Sequence, residues 1–230
     1  MFELEAKNMC GRYAQFHADS EIANLFQIEE ITELKPRYNI APTQQVATIS
    51  LERESGDRQL KFRQWGLIPS WAKDATISAK LINARAETVA EKPSFRTAFR
   101  RRRCLIIADG FYEWQKVGQT KQPFYIHLKN ERTFAFAGLW EAWKNPQNEM
   151  LETCTILTTT ANEVVAPIHE RMPVILAQEN YDLWLDCQED NLEKLPEILR
   201  PVPDGEITAK PVSTRVNNAK YDRPDCLEKN

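Results

Sequence analysis

Cys104-Leu105-Ile106-Ile107-Ala108 is an unbroken apolar run, and Asp109-Gly110 and then Phe111-Tyr112-Glu113-Trp114 follow it directly. A short apolar run rich in β-branched residues and closed by Asp-Gly reads as a buried strand ending at a turn. Outward from it, residues 45–51, 60–65, 124–128, 134–139 and 153–159 read as strands of the same kind. Helical patterns fall at 94–101, 162–166, 180–186 and 192–199. Asp19-Ser20 before Ile22, Leu25 and Phe26 predicts a capped amphipathic helix near the start. Strands outnumber helices and do not alternate with them regularly. The expectation is a single α+β domain, a mostly antiparallel barrel-like sheet with flanking helices. Thirteen Pro against seven Gly point to rigid connections.

Composition narrows the function. At 230 residues, with 42% hydrophobic and 27% charged side chains, the chain can bury a sizeable core in one domain. Its five Cys lie far apart, at 10, 104, 154, 187 and 226, in no metal-like spacing. A disulfide framework and a zinc site are therefore not expected, and a reducing, cytoplasmic setting is. No cofactor or metal is called for. Residues 1–8 lack the basic and apolar regions of a signal peptide, and no apolar run approaches a membrane span. The protein is expected to be a monomer without a membrane partner. The net charge of −3 is unevenly spread: residues 61–103 hold eleven Lys/Arg against three Asp/Glu, and residues 179–206 hold nine acids against two bases. Phe62, Trp65, Trp71, Phe95 and Phe99 interleave the basic stretch. Basic side chains track phosphates and exposed rings stack on unpaired bases, although a solvated basic face over core aromatics is the simpler reading of any one residue.

The chemistry-bearing candidate is Cys10, because Met9 precedes it in Met9-Cys10-Gly11-Arg12-Tyr13. Removal of residues 1–9 would make Cys10 the N-terminus. Its α-amine, with an ordinary pKa of roughly 8, and its thiol, at about 8.5, would then both keep a nucleophilic fraction at neutral pH. Such a 1,2-aminothiol captures aldehydes: the amine forms an imine and the thiolate closes a thiazolidine. Glu113, between Tyr112 and Trp114, is a candidate proton carrier if aromatic walls raise its pKa. His169, in a segment bounded by Pro167 and Pro173, is a second. Asn83 is a candidate hydrogen-bonding partner for the amine or a sugar. Arg12, Arg85 and Arg171 lie close in sequence to these and suit phosphates, with structural ion pairs as the competing reading.

Four further segments stand in order between Cys10 and His169. They are Arg37-Tyr38-Asn39-Ile40-Ala41-Pro42, Trp65-Gly66-Leu67-Ile68-Pro69-Ser70-Trp71, Ile82-Asn83-Ala84-Arg85-Ala86-Glu87-Thr88 and Ala108-Asp109-Gly110-Phe111-Tyr112-Glu113-Trp114. Ile168-His169-Glu170-Arg171-Met172-Pro173 closes the set. Together with Met9-Cys10-Gly11-Arg12-Tyr13-Ala14 they resemble the SOS response-associated peptidase (SRAP) family over nearly the whole chain.

The resemblance implies covalent attachment to abasic sites in single-stranded DNA, shielding the lesion during the DNA damage response. Cys10 would be the nucleophile, Glu113 the proton shuttle, His169 an assistant to sugar-ring opening and Asn83 an orienting group. Arg12, Asn39, Trp71, Arg85, Trp114 and Arg171 would surround the DNA. The protein would lie in the cytoplasm, on the nucleoid when bound to damage. Residues 1–9 would be an N-terminal extension or a removed leader, 10–222 the catalytic domain and 223–230 a tail. Self-cleavage before Cys10 would fit a peptidase or thiol-hydrolase activity, with crosslinking a lyase-like one. Two other readings stay open. One is a cysteine peptidase acting in trans through Cys10, His169 and Glu113. The other is a non-covalent single-strand binding module.

Overall fold

The computed structural model describes residues 10–29, 33–52 and 54–229; the expected leader lies outside them. Among the described residues thirteen strands form two sheets. β1 (Tyr13–Gln15), β2 (Arg37–Ile40), β7 (Gly110–Val117), β8 (Thr120–Leu128) and β13 (Ile207–Pro211) make a five-stranded antiparallel sheet in the order β13-β8-β7-β1-β2. The second sheet contains β3 (Gln45–Leu51), β4 (Arg58–Trp65), β6 (Arg103–Ala108), β9 (Phe134–Lys144) and β10 (Met150–Thr160). These five pair in a closed ring, β3-β4-β10-β9-β6, antiparallel except between β4 and β10. Closure leaves this barrel without a free edge. Short strands β5 (Asn83–Arg85), β11 (Arg171–Pro173) and β12 (Ile175–Leu176) add to β10 and β9.

The opening motif explains itself in this frame. On β6, Leu105 and Ile107 face a core beneath the helices, which includes Phe26, Phe99 and Trp184. Cys104, Ile106 and Ala108 face the other core, with Trp65, Phe136 and Ile156. A strand buried on both faces runs apolar, and the one charge on β6, buried Arg103, is satisfied by the carbonyls of Phe99, Trp184 and Asp186. At Asp109 the chain leaves the barrel, and Gly110 begins β7 in the other sheet. This is a corner between sheets, not a hairpin turn. Asp109 holds it together: its carboxylate accepts from Phe16 N–H, from His17 N–H at 3.0 Å and from Thr133 Oγ1 at 2.6 Å. Gly110 is required because an added Cβ would fall inside the Tyr125 ring.

Four short helices cover the barrel: α1 (Asp19–Phe26), α2 (Arg96–Arg101), α3 (Tyr181–Leu185) and α4 (Leu195–Ile198). The helix near the start is present, but its cap differs from expectation. Ala18 occupies the N-cap without a side-chain bond, and Asp19 Oδ1 instead accepts from Leu34 N–H at 3.1 Å. Residues 163–168 form turns, not a helix: Asn162 Oδ1 caps a first turn through the Val165 N–H at 3.1 Å, and Pro167 stops it from propagating. Residues 223–229, expected as a tail, pack onto the domain. Cys226 is fully buried beside Tyr112 and Tyr125, and Ser213 N–H donates to Glu228 O at 2.8 Å. Among the described residues no helix is long and apolar enough to cross a membrane.

Candidate functional site

The site forms where the two sheets meet. β1 runs antiparallel to β7 with Tyr13 opposite Phe111, and Tyr112 N–H donates to Arg12 O at 2.9 Å. Carrying that register back along β1 brings the Cys10-Gly11 segment opposite Glu113. Cys10 N–H donates to Glu113 Oε1 at 2.8 Å. From the other side Asn83 Nδ2 donates to Cys10 O at 3.3 Å. Asn83 is set by β5 lying parallel to β10, with Asn83 opposite Ile156. Trp65 Nε1 donates to Ile82 O at 2.9 Å and fixes the approach to that strand. Three residues distant in sequence thus converge on one backbone unit.

Both reactive groups are dry. Cys10 is 1% exposed and Glu113 is 2% exposed. Burial pushes the Glu113 carboxyl up to about 8, against the two backbone N–H donors of Cys10 and Trp114, which favour the carboxylate. Burial, and then the nearby Glu113, hold the Cys10 thiol well above its usual value. At neutral pH the pair is therefore mainly thiol and carboxylic acid. Cys10 holds φ at 32°, which few residues other than glycine adopt.

His169 is positioned by its neighbours. Arg171 N–H donates to His169 Nδ1 at 3.1 Å. The same Nδ1 lies 3.2 Å from Arg171 O, so the backbone of Arg171 brackets this ring nitrogen. Among the described residues no hydrogen bond joins His169 to Cys10 or Glu113. Gln115 on β7, which sequence reasoning missed, ties the His169 loop down through Nε2 to Pro167 O at 3.0 Å. Nothing in its local sequence marks it.

The six expected DNA-facing residues divide. Trp71 is 60% exposed, because Trp143 Nε1 anchors the neighbouring Ala72 O at 2.8 Å and leaves the indole outside. Arg85 is exposed on β5. Arg12 is half-buried, bonded through Nη1 to Asn39 Oδ1 (2.9 Å) and Val216 O (2.7 Å), and lies 5.9 Å from the Trp114 ring centroid. Trp114 donates through Nε1 to Asn217 Oδ1 at 2.7 Å. Asn39 and Arg171 depart from expectation. Asn39 is fully buried and donates through Nδ2 to Val216 O, Asn218 O and Tyr221 O, so it positions Arg12 and does not face solvent. Arg171 is buried in a bidentate pair with Glu87 at 2.6 and 2.8 Å, the structural ion pair that was the competing reading. Glu87 lay within a quoted motif, yet its charge alone did not name its partner. Of the aromatics in the basic stretch, Trp65, Phe95 and Phe99 are core, and Phe62 and Trp71 are exposed.

Residues 9–219 match the profile of the SOS response associated peptidase (SRAP) family. The chain is 45% identical to the abasic site processing protein YoqW of Bacillus subtilis (strain 168), over 96% of this chain and 99% of that one. It is 34% identical to the abasic site processing protein HMCES of Gallus gallus, over 84% of this chain and 66% of that one. A crystal structure of a protein from Bacteroides thetaiotaomicron superposes with a TM-score of 0.84 at 25% identity, over 96% of this chain and all of that one. The chain belongs to the SOS response associated peptidase (SRAP) family.

Proposed function

We propose that the chain processes abasic sites in DNA, in the response to DNA damage, by covalent capture at Cys10 once residues 1–9 are gone. The observation that carries this reading is the 2.8 Å contact between Cys10 N and Glu113 Oε1. A proton carrier already touches the atom that would become the amine. The names of relatives at 45 and 34% identity agree with abasic DNA as the substrate.

The steps balance as follows. The Cys10 amine attacks the aldehyde carbon of the ring-opened sugar, and a proton passes from nitrogen to oxygen to give a carbinolamine. Glu113 protonates the departing hydroxyl, and water leaves an iminium. The thiol then adds to that carbon while its proton passes to the Glu113 carboxylate. A thiazolidine forms, and the net loss is one water. The high Cys10 thiol pKa is no obstacle, because the adjacent iminium cation favours the thiolate only when it is needed. His169 would donate to the sugar-ring oxygen during opening. Trp71 and Arg85 would contact unpaired bases and backbone, which favours single strands. While the leader remains, the nitrogen is an amide and capture is blocked. Attack by the Cys10 thiol on the Met9 carbonyl would release the amine and form a thioester, which water then hydrolyses. Glu113 sits where it can protonate that leaving nitrogen.

A trans-acting Cys–His peptidase needs its histidine on the thiol, and among the described residues no hydrogen bond joins His169 to Cys10. The test uses a chain beginning at Cys10 and single-stranded DNA with one abasic site. Capture should survive denaturation without reductant. Cys10→Ser should leave only an imine, trapped when borohydride is present and lost without it. A stable adduct from Cys10→Ser would overturn the thiazolidine.

A further inference from the structure

A second site lies beyond the capture point, at the far end of β10. It is a cavity of about 620 Å³ walled by Phe99 of α2, by Leu192 and by Pro196 and Leu199 in and after α4. Arg100 and Arg200 line it, and both are exposed. Neither has a carboxylate partner among the described residues. The one acid in the lining, Glu87, is already neutralised by Arg171. Two unpaired cations over apolar walls suit an anion with a flat apolar part.

Position says which anion. Thr159 and Thr160 of β10 contribute to the cavity, and Asn83, which touches Cys10, faces Ile156 on the same strand. From Ile156 to Thr160 is about 13 Å along the strand. A stacked single strand rises roughly 3.4 Å per nucleotide, so that span of strand corresponds to about four nucleotides. Exposed Arg85, opposite Thr158, stands between the two points.

We propose that this cavity is a subsite for a nucleotide of the single strand flanking the abasic site, its base against the apolar walls and its phosphate on Arg100 and Arg200. The assignment rests on abasic capture at Cys10 and adds a flank requirement to it. Apolar and stacking contacts are common to all bases, so the subsite takes any sequence.

The test compares a short abasic oligonucleotide with one extended by several nucleotides on both sides. The full chain is used after leader removal, alongside Arg100→Ala/Arg200→Ala and Ala90→Trp, which places an indole at the cavity mouth. All three positions are exposed, so the fold should persist, and thermal unfolding checks it. The expected result is that extension lowers the half-saturating concentration for capture by about tenfold in the parent and that both variants abolish this gain. Both should capture the short oligonucleotide as the parent does. The salt dependence of binding to an unmodified strand should weaken by about 0.7 in log–log slope for the double variant, which loses its hold on one phosphate. No gain from extension, or equal gain in all three proteins, would overturn the subsite. Loss of the gain in the double variant but not in Ala90→Trp would place phosphate on the arginines and leave the cavity empty, overturning it too. Failure of the parent to capture even the short oligonucleotide would count against the chemistry at Cys10, and the salt slope would still decide the subsite.

Discussion

In the proposed capture Glu113 is the residue on which the chemistry turns, and its burial has two measurable consequences. Between about 4.5 and 8 the folded chain holds a proton there that the unfolded chain has released. Stability should therefore fall as pH rises through that window and level off above it. Urea midpoints measured against pH should show this slope in the leader-bearing protein and a flatter profile in Glu113→Gln. Glu113→Gln keeps the shape and can still accept from the Cys10 nitrogen, but it cannot carry a proton. Single-turnover capture by the leaderless variant should slow by roughly a hundredfold or more, with its fold intact. Cys10, Asn83, Glu113 and His169 were all legible in the sequence as chemical types. That Cys10, Asn83 and Glu113 meet was not, because it depends on the β1–β7 register and on the parallel placement of β5. Asn39 and Arg171 show the limit of that reading. A polar residue beside a motif looks the same whether it faces solvent or, as here, holds buried carbonyls and a carboxylate.

At the scale of elements, the corner between β6 and β7 sets the position of Glu113. Asp109→Ala would strip the acceptor from the N–H groups of Phe16 and His17 and from the Thr133 hydroxyl. It should cost about 3 kcal/mol or more, read as a fall in the urea midpoint at unchanged slope. Gly110→Ala would drive a methyl group into Tyr125 and should cost about 1–3 kcal/mol. Because β7 moves with this corner, both variants should also slow capture. The long strands of the barrel were legible, because apolar runs and alternation mark them. β1, β2, β5, β11 and β12 have two to four residues each, too few for any period to show. Yet β1 and β5 carry or approach Cys10 and Asn83, so the least legible elements position the site.

For the whole molecule, the barrel is closed around a buried cation. Arg63 is fully buried and donates to Glu152 at 2.9 Å, Thr48 at 2.6 Å and Ser50 at 3.1 Å, with Trp140 4.4 Å away. Arg63→Ala would leave those groups unpaired and should cost about 3–5 kcal/mol in global unfolding. Composition had suggested one domain, and the packing of residues 223–229 extends it past the expected boundary. What the closed barrel and the five-stranded sheet jointly hold is a dry thiol and its backbone N–H against the Glu113 carboxyl. The most direct test mixes the purified protein with single-stranded DNA carrying one abasic site, without reductant, and joins a denaturing gel to intact-mass spectrometry. The account predicts a heat-stable protein–DNA band, absent for Cys10→Ala, from a protein whose mass places Cys10 first. A protein that begins at Cys10 and forms no band would contradict it.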